Sequence, residues 1–211
     1  MKWESLLEIA GDEPVFSSGL LLSGNESTGQ VRLQLSRWVR AGRLIQLRRG
    51  LYALAPAWRK IEPHPFLIAN RLQRGSYVSL QSALAYHGII PEHVPVATSV
   101  GPGRPGTLRN PLGTYQFRHL AYGMLFGYAR VEVAATQFVF IASAEKALLD
   151  LVYLTPGADS PDYLGELRLR NDGVMDRRLL KALAQRSGRP KLVRAARTVM
   201  ALLAGKEGKP L

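Results

Sequence analysis

"LSRWVRAGRLIQLRRGLYAL", Leu35 to Leu54, decides how the first part of the chain folds. Its first half closes a helix. Val31, Leu35, Trp38 and Val39 fall at i, i+4, i+7 and i+8 and form one apolar stripe. Ser27 or Thr28 is placed to cap the start, and Gly42 ends the helix. Gln30, Leu33, Ser36, Arg37 and Arg40 lie opposite the stripe, with Gln34 at its margin. The second half is a hairpin. "LIQL" and "LYAL" are short apolar-rich strands, and "RRG" between them makes a turn whose glycine accepts a positive φ.

Upstream, "WESLLEIAG" predicts a short helix stopped at Gly11, and Ser17 or Ser18 is placed to cap a second one through Leu22. Three short helices followed by a two-stranded hairpin is the outline of a winged helix-turn-helix. In that arrangement the third helix enters a DNA major groove, and the hairpin tip sets Arg48 and Arg49 beside phosphates or in the adjoining minor groove.

The charge is distributed to match. The net charge is +12 over 211 residues. Residues 1–26 hold one basic and five acidic residues, and residues 27–61 hold eight basic and none acidic. Residues 62–160 are near neutral, and residues 161–211 hold twelve basic against five acidic. Nucleic acid, an anionic membrane and an acidic protein all suit such a total. A solvated structural face usually mixes signs, so the acid-free block on adjoining helix and hairpin favours nucleic acid. Candidate double-stranded DNA contacts are Thr28, Gln30, Arg32, Gln34, Arg37, Arg40, Arg48 and Arg49. The arginines release counterions, and Gln30, Gln34 and Arg37 offer donors to base edges.

"APAWRKIEPHP", residues 55–65, is proline-rich and divides a DNA-binding domain over 1–60 from a second domain over 61–211. The second domain mixes elements. "PFLIANRLQR" predicts a helix and "SYVS" a strand, and Ser79 is placed to cap "LQSALAYHG". "VPVATSV", "TYQFRHL", "YARVEVA" and "QFVFIA" predict strands, and Ser143 caps a helix over "SAEKALLDLVYLT". Two more helices are expected, from about Asp176 to Arg186 and from Pro190 to about Ala204, with "GKEGKPL" fraying. The overall expectation is an α/β (α+β) protein: a winged helix-turn-helix, then a mixed α/β domain ending in helices.

Other signals have plain structural readings. "GPGRPG" has the G-x-G-x-x-G spacing, but Pro102 and Pro105 remove N–H groups and no helix pattern follows, so it reads as a β-connection. Glu145 and Asp150 are five apart, poorly placed for a shared ion. Lys146 and Asp150, at i, i+4, read as a surface ion pair. The four histidines show no ligand spacing, and the absence of cysteine excludes disulfides and thiolate sites and fits a reducing cytoplasm. No catalytic constellation, metal site or cofactor loop emerges, so the reading is non-enzymatic. No apolar run is long enough to span a bilayer. Arg177, Arg178, Lys181, Arg186, Arg189, Lys191, Arg194 and Arg197 form a possible second basic surface, facing solvent, nucleic acid or an acidic partner.

Three segments carry a family resemblance: "LSRWVRAGRLIQLRRGLYAL", "YVSLQSALAYHGII" and "FIASAEKALLDLVYL". In this order they resemble AbiEi-type antitoxins, the regulatory half of type IV toxin–antitoxin and abortive-infection systems. The resemblance covers most of residues 15–155. It implies a transcriptional autorepressor that binds repeats in its own promoter through the N-terminal domain. It also implies a C-terminal domain that counteracts a nucleotidyltransferase toxin without a stable complex. A stand-alone winged-helix regulator and a protein-binding module are the alternatives.

Overall fold

The computed structural model describes residues 1–22, 27–92, 94–170 and 174–207. His93, one of the four histidines weighed above, and the last residues of the stretch expected to fray, 208–211, lie outside them. The chain is a mixed α/β protein, as its patterning predicts. Among the described residues, no helix is long and apolar enough to cross a membrane.

In the N-terminal part, α1 (Trp3–Ala10) turns Trp3, Leu6 and Ala10 inward. A two-residue strand β1 (Phe16–Ser17) and a 3₁₀ turn (Ser18–Leu22) lead to α2 (Thr28–Arg40). Ser27 is the cap: its Oγ accepts the Gln30 N–H at 3.3 Å. Val31, Leu35 and Trp38 are buried, as the stripe requires. β2 (Leu44–Arg48) and β3 (Leu51–Leu54) pair antiparallel, and β1 adds to the far side of β3. The hairpin turn is Arg49–Gly50, with Gly50 at φ 80, so Arg48 ends a strand rather than entering the turn. A bulge is the reason. Gln46 pairs with Tyr52 and Arg48 with Leu51, which makes Leu47 the extra residue and buries it. Trp3 meets Trp38 edge-on at 5.1 Å in a core completed by Phe16, Leu21, Leu44, Tyr52 and Leu54.

The proline-rich segment is docked at both ends. Trp58 packs edge-on against Trp3 at 5.2 Å, and Lys60 pairs with Asp12 at 2.8 Å. Further on, the buried Gln137 amide donates to the Glu62 carbonyl and accepts the His64 N–H, each at 2.8 Å. Val15, Leu47, Leu51 and Ala53 join the apolar cluster of the following part, and the Asn110 amide donates to the Leu47 carbonyl at 3.4 Å. The two parts therefore pack against each other through the back of the hairpin.

The second part is built on a six-stranded sheet. Its strands are β4 (Tyr77–Val78), β5 (Val96–Gly101), β6 (Gly106–Asn110), β7 (Gly113–His119), β8 (Tyr128–Ala134) and β9 (Gln137–Ala142), in the order β6-β7-β5-β4-β9-β8. β5 runs parallel to β7 and β4 to β9, and the other pairs are antiparallel. "GPGRPG" links β5 to β6, a β-connection as expected. The helices are α3 (Pro65–Leu72), α4 (Leu80–Tyr86), α5 (Ala144–Leu154), α6 (Pro161–Glu166), α7 (Arg177–Arg186) and α8 (Pro190–Glu207). α5 is enclosed by α4, β9, α7 and α8, and every residue from Ala144 to Val152 is buried.

Candidate nucleic-acid interface

α2 and the hairpin tip present the predicted residues together. Thr28, Gln30, Arg32, Arg37, Arg40, Arg48 and Arg49 are exposed, and Gln34 is half-buried at the margin of the stripe. Arg32, Arg40 and Arg49 line one groove of about 520 Å³ between α2 and the hairpin, with Ser36 and Gln46 beside them. Arg37, Gln30, Thr28, Gln34 and Arg48 lie outside it. Among the described residues no carboxylate pairs with any of these five arginines. Arg40 reaches only the Ser36 hydroxyl, at 3.4 Å. The groove therefore holds positive charge that no carboxylate among the described residues neutralises, which favours anions. Gln46 escaped the sequence reading, although its outward place two residues before Arg48 on β2 signals it.

The second basic set is partly engaged in holding the C-terminal helices. Arg194 makes two hydrogen bonds to Asp159, at 3.1 and 2.7 Å, and lowers that carboxyl below its usual range. Lys191 donates to the Thr155 carbonyl at 2.6 Å. The Arg186 guanidinium lies 4.6 Å from the Phe126 ring centre, and that of Arg189 lies 6.0 Å from Tyr153. Arg178, Lys181 and Arg197 are exposed, while Arg177 is half-buried. The set therefore does not form one uninterrupted free surface.

The largest correction concerns Lys146 and Asp150. They are an ion pair, as their helical spacing predicts, but both side chains are fully buried instead of lying at the surface. The reason is that α5 has neighbours all round. Asp150 also accepts hydrogen bonds from Ser79 Oγ at 2.8 Å and Tyr77 Oη at 3.0 Å. Ser79 stands at the start of α4 without capping it, since its hydroxyl is aimed at Asp150. The next residue, Leu80, adopts the left-handed conformation with φ 56. Burial pushes the Asp150 carboxyl up and the Lys146 ammonium down, and the pairing opposes both shifts by favouring the charged form of each. Burial and the Asp150 charge push the Tyr77 phenol far up, so it remains a donor. The Lys146 ammonium lies 4.7 Å from the Phe126 ring centre. Gly127, at φ 71, makes room for the lysine stem, since a Cβ there would come within 3.1 Å of Lys146 Cβ. The network joins "YVSLQSALAYHGII" to "FIASAEKALLDLVYL". Glu145 is also buried, and accepts the Asp176 N–H that opens α7 at 2.7 Å.

No protein-family model matches the chain, and no curated protein matches it. Among solved structures the chain is similar to the RV2827C protein from Mycobacterium tuberculosis, with 16% sequence identity and a TM-score of 0.51. The match covers 99% of this chain and 81% of that one. At that identity the likeness concerns the fold, and it extends through both parts of the molecule.

Proposed function

We propose that residues 1–60 form a winged helix that binds double-stranded DNA, with α2 as the recognition helix and the β2–β3 turn as the wing. One observation carries this reading. Five arginines on two adjoining elements face solvent with no acidic partner among the described residues, and three of them line a single groove. Phosphates would occupy the arginines, and Gln30 and Arg37 would reach base edges. The mechanism is repression by occupancy, with affinity supplied by counterion release and register by α2.

The antitoxin role rests on the family resemblance. Its support is that the two C-terminal segments carrying the resemblance share one buried hydrogen-bond network. The full reading is a non-enzymatic autorepressor and antitoxin of the cytoplasm, opposing a nucleotidyltransferase toxin without a stable complex. Repression of a reporter driven by the chain's own upstream DNA tests the first half. Loss of repression on combining Arg37→Ala and Arg40→Ala is expected, and retained repression would contradict it. Co-expression with the product of an adjacent nucleotidyltransferase gene tests the second half. The chain should restore growth, and an Arg37→Ala/Arg40→Ala variant should still do so. Failure of both to protect would leave a stand-alone regulator.

A further inference from the structure

A second groove, of about 530 Å³, opens between α3 and the outer face of β8 and β9. Its chemistry differs from that of the α2 groove. On β9, Gln137, Val139 and Ile141 are buried, while Phe138 and Phe140 point outward, 39% and 46% exposed. A half-buried strand ordinarily turns polar residues to water, so two outward phenylalanines in succession form a partly exposed aromatic face. Arg130 of β8 stands cross-strand from Phe140 and lays its guanidinium over Phe138, 3.8 Å from the ring centre. Arg71 and Arg74, at the end of α3 and just beyond, are exposed on the opposite wall and have no acidic partner among the described residues.

The face is held in place. Asn70 brackets the Phe140 backbone, accepting its N–H at 2.6 Å and donating to its carbonyl at 3.5 Å. That contact occupies the edge of β9 at the N-terminal end of the short β4. Glu132, opposite Phe138, is turned aside to accept the Thr136 N–H at 2.9 Å. Glu13 is the single carboxylate on the groove wall among the described residues. An acidic peptide would satisfy the arginines and leave the rings bare, and an apolar peptide would do the reverse. A duplex hides its base faces in its own stack. An unpaired strand offers phosphates and free base faces at once.

We propose that this groove binds single-stranded nucleic acid, with bases stacked on Phe138 and Phe140 and phosphates held by Arg71, Arg74 and Arg130. The site is independent of the duplex-binding reading of α2 and the wing. The test is fluorescence anisotropy of the full chain with labelled oligouridylate and oligothymidylate. Heparin serves as a polyanion without bases, and polyglutamate and a duplex serve as competitors. Phe138→Ala/Phe140→Ala removes no charge. It should weaken binding of the strands about tenfold or more and leave heparin binding unchanged. Phe140→Tyr, which keeps a ring, should bind like the parent, and Arg48→Ala/Arg49→Ala should retain strand binding. A preference for either sugar supports the site and ranks the two strands. Unchanged strand affinity in the alanine variant would overturn the proposal. So would an equal loss for heparin, or competition by polyglutamate or duplex as strong as that by the strands. If the alanine variant unfolds, Phe138→Leu/Phe140→Leu, which also removes both rings and no charge, carries the same criterion: a loss for strands with heparin binding unchanged.

Discussion

Lys146 and Asp150 set the residue scale, because each is tolerable in the core only through the other. Removing one partner leaves a charge buried and unpaired, which costs about 3–5 kcal/mol. Lys146→Met and Asp150→Leu are each expected to destabilise by that order, and the double variant by clearly less than the sum. Denaturant midpoints for the four proteins check this, and strict additivity would mean that the pair is not coupled. His64 supplies a pH dependence. Its Nδ1 accepts the Phe66 N–H at 3.1 Å and caps α3, a role open only to the neutral ring, and burial lowers its pKa. The stabilisation is complete above the ordinary histidine value and is lost as pH falls through the lowered one. The thermal midpoint should therefore fall between about pH 7.5 and about pH 5.5, and His64→Asn, which keeps a cap, should fall less. Neither role was legible from spacing. An i, i+4 pair looks the same on a bare helix and on one enclosed by other elements, and a lone histidine gives no sign of being a cap.

At the scale of elements, legibility followed periodicity. α2 was readable because its stripe, its cap and its glycine stop agree, and the β2–β3 hairpin because two apolar runs flank a glycine. β1 was not, since two residues cannot show alternation and the strand exists only by pairing with β3. α6 was also missed. Ser160 caps it and Pro161 takes its first position, which is a signal, but it has only six residues and contains Gly165. The same agreement makes α2 the element to test for specificity. Arg37→Ala or Gln30→Ala should cost about 1–3 kcal/mol on a preferred duplex if the hydrogen bonding to the base is bidentate, and less on random DNA. Competition assays with the two duplexes decide it. Equal losses would mean that these side chains grip only the backbone.

The whole molecule is less divided than its composition suggests. The charge change near residue 60 marks a boundary in sequence, yet Val15, Leu47, Leu51 and Ala53 of the first part enter the core of the second. The proline-rich stretch is pinned by Trp58 and Gln137. Those interactions join residues distant in sequence, and no local pattern announces them. The acid-free basic block of residues 27–61, by contrast, was legible, and the arginines of α2 and the hairpin tip, which have no acidic partner among the described residues, remain the ground for the functional reading. The central claim is that these arginines meet the phosphates of a duplex. Its most direct measurement is the salt dependence of binding to the chain's own upstream DNA, for the parent and for Arg48→Ala/Arg49→Ala. The parent should show a steep linear fall of log affinity with log salt, and the variant a slope shallower by about 2, near one unit for each phosphate that an arginine no longer neutralises. Identical slopes and affinities for the two proteins would contradict the account.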